Sequence, residues 1–146
     1  MKGKTFVIAA AVLAVAVLAA QAFQPDRSNP AVDPAVTWQA VAMPSPEVAA
    51  IVYRSCRDCH TNETVWPWYS RLSPMSWLVA NDVREGRAKL NFSRWDIYSP
   101  EMSQTRMGEA CDEVRKGDMP LRFYTPLHPD AKLTAKDVEM FCSAAK

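Results

Sequence analysis

Ser45-Pro46-Glu47-Val48-Ala49-Ala50-Ile51-Val52-Tyr53-Arg54-Ser55-Cys56-Arg57-Asp58-Cys59-His60 holds both a helix start and a chemical motif, and its reading decides the fold. Ser45 is a good N-terminal cap. Pro46 suits the first helical position, where the missing N–H would have no partner anyway, and Glu47 sets an acid against the positive end of the helix dipole. Val48, Ile51, Val52 and Cys56 then recur at helical spacing, so one apolar face runs straight into Cys56. The stretch ends in two thiols separated by two residues, with an imidazole directly after them.

That C-x-x-C-H pattern is the signature of c-type haem attachment, and the chemistry demands its spacing. Two thiols a short loop apart can each add across a vinyl group on one porphyrin edge. The adjacent histidine is then directed over the ring, where it binds iron from one side. One covalently attached haem c is therefore the expected cofactor, bonded through Cys56 and Cys59 with His60 on the iron. The rival readings are weaker. A thioredoxin-type redox pair needs a βαβ context, which the flanking pattern does not supply. A zinc site needs a second matching pair, and the remaining cysteines, Cys111 and Cys142, stand 31 residues apart. A plain disulfide explains neither the histidine nor the helix that delivers the motif.

Toward the N-terminus, Lys2 and Lys4 precede an unbroken apolar run from Phe6 to Ala20, and Ala20-Gln21-Ala22 offers a small-x-small cleavage site. The run is long for a signal peptide and short for a spanning helix, so a cleaved signal and a retained membrane anchor both stay open for residues 1–22. Under either, the lysines remain inside, and the rest of the chain reaches the periplasm or the outer face of the cytoplasmic membrane. Residues 23–44 contain Pro25, Pro30, Pro34 and Pro44 with little apolar periodicity and read as a tether. Trp38, Val41 and Met43 are its candidates for touching the domain, which occupies 45–146. With 146 residues, 49% of them apolar, the chain can build one ordinary core. Its formal charge is +1, and residues 23–146 carry 15 basic groups against 16 acidic ones. Without a broad basic field to gather phosphate, nucleic acid is not an expected partner.

Three further helices are predicted. One spans about 76–89, with Trp77, Leu78 and Val83 as its apolar contacts. Another spans about 103–116, with Met107, Ala110, Cys111 and Val114 on one stripe and Gly117 as its C-terminal cap. The last begins at Thr134 with Asp137 in a capping-box position, and buries Val138, Phe141, Cys142 and Ala145. No segment alternates with period two, so the expected class is all-α. In an exported chain Cys111 and Cys142 are read as a disulfide between the last two helices, with two buried thiols as the alternative.

The second iron ligand is read from the loops. Met119 lies in Gly117-Asp118-Met119-Pro120, outside any predicted helix, and the proline stiffens the loop that presents it. A methionine ligand raises the potential of a histidine-bound haem. His128, the second of only two histidines, is the alternative ligand, and an iron open or bound to water is the third case. Trp66, Trp68, Tyr69 and Trp77 crowd together just after the motif and are expected to pack on the haem. Arg84, Arg87, Lys89, Arg94 and Arg122 are the cations from which a propionate partner would come, and residues 84–89 otherwise read as a solvated helix face.

Beyond the five-residue motif, C-R-D-C-H-T-N-E-T-V-W-P-W-Y-S at 56–70, S-W-L-V at 76–79 and E-G-R-A-K-L-N-F-S-R-W at 85–95 form a specific set. With G-D-M-P-L at 117–121 and L-H-P-D-A-K-L-T at 127–134, the chain resembles the small bacterial haem-binding domain family of exported c-type haem proteins. The resemblance implies a cytochrome c-like helical domain wrapped round one covalently attached haem on Cys56, Cys59 and His60. It also resembles class I cytochromes c in placing Met-Pro before a C-terminal helix, which favours Met119. The leading functional expectation is a one-electron carrier with a redox protein as partner and a membrane contact through the N-terminal segment. The alternatives are a haem enzyme, a gas or peroxide sensor with an open distal iron, and a haem-binding module within a larger complex.

Overall fold

A computed structural model describes residues 2–145. Among them all regular structure is helical, in agreement with the all-α expectation. The helices are α1 (Lys2–Gln21), α2 (Trp38–Ala42), α3 (Pro46–Ser55), α4 (Arg57–His60), α5 (Met75–Lys89), α6 (Pro100–Lys116) and α7 (Ala135–Ser143), with short 3₁₀ turns in the connections.

Local chemistry sets the boundaries. The Val48 N–H donates to Ser45 Oγ ahead of α3, and the Met102 N–H donates to Ser99 Oγ ahead of α6. Ser99-Pro100-Glu101 repeats the Ser45-Pro46-Glu47 signature, so α6 starts before the 103 read from periodicity, because its first turns are polar. Gly117 closes α6 with φ of 75°, the left-handed conformation that glycine adopts without strain. Thr134 and Asp137 exchange reciprocal bonds at the start of α7.

α3, α6 and α7 pack around Val48, Ile51, Val52, Met107, Cys111, Val114, Phe141 and Cys142, and Leu90, Phe92 and Trp95 close the same core. A disulfide joins Cys111 of α6 to Cys142 of α7, with 5.1 Å between their Cα atoms. α5 instead buries Ser76, Val83 and Gly86. Its predicted contacts Trp77 and Leu78 face outward, because α5 approaches α4 and the 68–71 turn through small residues that leave no room for large ones.

The stretch read as a tether is laid along the domain. Trp38 is only 4% exposed and meets Phe92 and Trp95 edge-on, with ring centroids 5.2 and 6.4 Å apart. Its backbone N–H donates to the Phe92 carbonyl at 2.8 Å. Val41 and Met43 remain exposed. A single tryptophan in a five-residue helix makes no periodicity, which is why the segment read as a spacer.

Candidate functional site

α3 delivers Cys56 as its C-terminal cap, and α4 turns the chain back at once: the N–H groups of Cys59 and His60 both donate to the Cys56 carbonyl, at 3.3 and 2.9 Å. The turn places Cys56, Cys59 and His60 on one wall of a cavity of about 660 Å³. That volume lies in the range of roughly 300–1,000 Å³ usual for small-molecule and cofactor sites. Leu90, Phe92, Val114, Leu133 and Phe141 give the cavity an apolar lining.

His60 is held from both its ring and its backbone. Its Nδ1 lies 2.9 Å from the Leu90 carbonyl oxygen, which can only accept, so Nδ1 carries the hydrogen and Nε2 keeps its lone pair for a metal. The His60 carbonyl accepts from the Phe92 N–H at 2.8 Å. Burial holds the imidazole below the ordinary histidine pKa, which keeps it neutral and able to ligate. Asn91 between those two residues donates from Nδ2 to Asn62 Oδ1 at 3.0 Å, and Ser93 Oγ accepts from the Asn62 N–H at 3.0 Å. The Leu90-Asn91-Phe92-Ser93 run is thus the support that orients the histidine.

Cys56 and Cys59 carry no disulfide. Burial pushes both thiols up to about 12, so they stand as neutral thiols and lack the lowered pKa of a thiol–disulfide exchange motif. Among the described residues no group of three or more His, Cys, Asp or Glu side chains is arranged to hold a metal ion, as a protein-only zinc site would need.

Met119 enters the same cavity from the loop after α6. The Asp118 and Met119 N–H groups donate to the Glu113 carbonyl at 3.0 and 3.3 Å, which ties the loop to the helix end. His128 lies outside the cavity. Its Nε2 is 2.9 Å from Tyr69 Oη, and its ring stacks on Tyr124 at 4.0 Å between centroids. The structure therefore gathers Cys56, Cys59, His60 and Met119 and leaves His128 engaged elsewhere.

The profile of the haem-binding domain family matches residues 15–146. The chain belongs to the haem-binding domain family. No curated protein and no solved structure matches the chain. As a haem-binding domain it has a suitable cavity: an apolar interior, an imidazole with a free nitrogen, two unpaired thiols beside it and charged residues among the lining.

The aromatic residues expected on the haem are placed differently in this haem-binding domain. Trp66, Trp68, Tyr69 and Trp77 do not line the cavity; Trp68 is 72% exposed, Trp77 is 43% exposed, and Tyr69 is occupied with His128. The rings that do line it are Phe92, Tyr124 and Phe141, brought in by packing between distant segments. Of the candidate propionate partners only Lys89 lines the cavity; Arg106, which the sequence reading did not single out, also lines it but pairs with Glu109 at 2.8 Å. Arg94 pairs with Asp96 at 3.0 Å, and Arg87 turns inward to bond Thr61, Thr64, Ser28 and Asn29. Tyr124 donates to Asp58 Oδ2 at 2.8 Å, and burial, with the Asp58 charge beside it, pushes its phenol up so that it stays a neutral donor.

Proposed function

We propose that this haem-binding domain is an exported c-type haem protein that carries single electrons, with haem bonded through Cys56 and Cys59 and iron held between His60 and Met119. The observation that supports it is the shared cavity of His60 and Met119, while His128 is committed to Tyr69 and Tyr124. Cys56 and Cys59 would hold the haem covalently, each thiol giving its sulfur to one carbon of a vinyl group and its hydrogen to the other. Haem, when bound, supplies a one-electron couple at its iron. The chain does the rest. Leu90 fixes the tautomer and aim of His60, and a Met119 thioether would raise the potential. Phe92, Val114 and Phe141 would exclude water from the iron, and Lys89 would be the cation for a propionate, with Arg106, paired to Glu109 at 2.8 Å, beside it. A second redox protein is the partner in this reading.

The test uses the purified holoprotein. Haem is expected to stay with the polypeptide through acidified organic extraction, and to be released from the Cys56→Ala/Cys59→Ala double variant. The ferric near-infrared band of a methionine–iron bond is expected to vanish in Met119→Ala and persist in His128→Ala. A high-spin ferric spectrum, with carbon monoxide binding after reduction, overturns the carrier and points to gas or peroxide chemistry at an open iron.

A further inference from the structure

α1 is fastened to the domain at its foot. The Gln21 side-chain amide donates to the Ser73 carbonyl at 3.3 Å, and its carbonyl oxygen accepts from the Ser73 N–H at 3.2 Å. Ser73 Oγ donates to the Ala20 carbonyl at 3.1 Å, satisfying one of the acceptors left open at a helix end. Just beyond, the Trp77 indole N–H donates to the Phe23 carbonyl at 2.9 Å, and Arg27 donates to the Ser70 carbonyl at 3.2 Å. Ser73 is only 7% exposed, and its hydroxyl also accepts from Gln24 Nε2 at 2.9 Å and lies 3.1 Å from Ser76 Oγ, so the foot of α1 joins a buried polar socket that its own Ala20 and Gln21 help to fill.

In the segments that meet at this socket, Phe23, Trp68, Leu72, Met75, Trp77 and Leu78 all stand 37–73% exposed. Such a concentration on a small domain marks an interaction surface. Trp77 has its N–H bonded and its ring outward, the amphipathic arrangement favoured at a membrane–water boundary. α1 is apolar over Gly3–Gln21, long enough to cross a membrane, and none of that stretch is buried in the protein. At about 1.5 Å per residue it spans about 28 Å, close to the roughly 30 Å hydrocarbon core.

We infer that α1 is retained and that the face of Phe23, Trp68, Leu72, Met75, Trp77 and Leu78 is seated on the lipid bilayer α1 enters. The occupant follows from continuity. When α1 lies in lipid its foot lies at the lipid surface, and the socket at Ser73 brings the surrounding apolar side chains to the same level. Trp68 and Trp77 then serve as interface anchors, and the domain is held in one orientation. This inference is independent of what binds the iron.

The test is photo-crosslinking of the full-length holoprotein in phosphatidylethanolamine/phosphatidylglycerol liposomes. Benzoylphenylalanine replaces Trp68 or Trp77 in turn, with Tyr53 on α3 and Met102 on α6 as exposed comparison sites. Circular dichroism checks that each variant keeps its helix content, and lipid adducts are read by mass spectrometry. Severalfold more lipid adduct at 68 and 77 than at 53 and 102, on a chain whose intact mass includes residues 1–22, is the expected result. Equal labelling at all four sites, adducts to protein instead of lipid at 68 and 77, or a chain isolated from the producing bacterium that begins at residue 23 would each overturn it.

Discussion

Gly86 of α5 packs against the peptide of Cys59 with no room for a side chain between them. A Cβ on Gly86 would collide with the Cys59 carbonyl oxygen, with the carbonyl carbon at 3.0 Å and the Cys59 Cβ at 3.1 Å. The neighbour is backbone held by the turn of α4, so it cannot rotate away. Gly86 therefore sets how closely α5 approaches the motif.

Gly86→Ala is expected to destabilise the holoprotein by about 1–3 kcal/mol, the usual cost of overpacking, despite the better helix propensity of alanine. Gly108 on α6 has nothing within 4 Å of its Cβ position. There the same substitution should stabilise by about 0.5–1 kcal/mol. Denaturant midpoints of the two variants, moving in opposite directions from wild type, check the pair.

The Cys111–Cys142 disulfide closes a loop of 31 residues that contains Met119. In the chain-entropy account that constraint is worth about 3–4 kcal/mol. Reduction with dithiothreitol should lower the urea midpoint by a corresponding amount. An unchanged midpoint would show that the denatured chain gains nothing from losing the bridge.

Capping signals and the C-x-x-C-H motif were legible because both are local: Ser45, Gly117 and Thr134 act within one turn of themselves, and thiol and imidazole spacing is written in consecutive residues. What joins distant segments was not. Trp38 reaches the core by packing on Phe92 and Trp95, far along the chain, and a lone tryptophan among prolines does not announce that. Trp68 and Trp77 read as haem cover because aromatic density next to a motif says nothing about which way the rings point. Arg106 and Phe141 meet the cavity only after α6 and α7 fold over it. Met119 stood out in the sequence because it sits in a loop beside a proline, and the structure places it on the cavity wall, packed against the core.

Arg87 staples the Pro-rich stretch to the segment after the motif. It donates to the carbonyls of Thr61 at 2.8 Å and Ser28 at 3.3 Å, and to Asn29 Oδ1 and Thr64 Oγ1 at 2.7 and 2.9 Å. An ammonium cannot reproduce that planar fork, so Arg87→Lys should behave much like Arg87→Ala, each losing about 2–3 kcal/mol. Limited proteolysis should then cut residues 24–36 faster than in wild type. Rescue by lysine would show that charge alone holds the stretch.

Asp137 gives the domain a calculable acid sensitivity. Its carboxylate accepts from the Thr134 N–H and hydroxyl at 2.8 and 2.7 Å and pairs with Arg54 at 2.7 Å. These bonds, the Thr134 N–H foremost, hold its pKa at about 2 against an ordinary 3.8. The folded protein thus binds this proton less readily than the unfolded chain. The stabilisation is complete above the ordinary value and drains away as pH falls toward about 2. Other carboxylates held low in the fold, such as Glu47 and Glu101 in the first turns of α3 and α6, slope the same way, so the difference from Asp137→Asn isolates this one. Urea midpoints of wild type and Asp137→Asn should lie furthest apart near neutrality and converge in that acid window. A gap that stays constant with pH would mean the carboxylate acts only by shape.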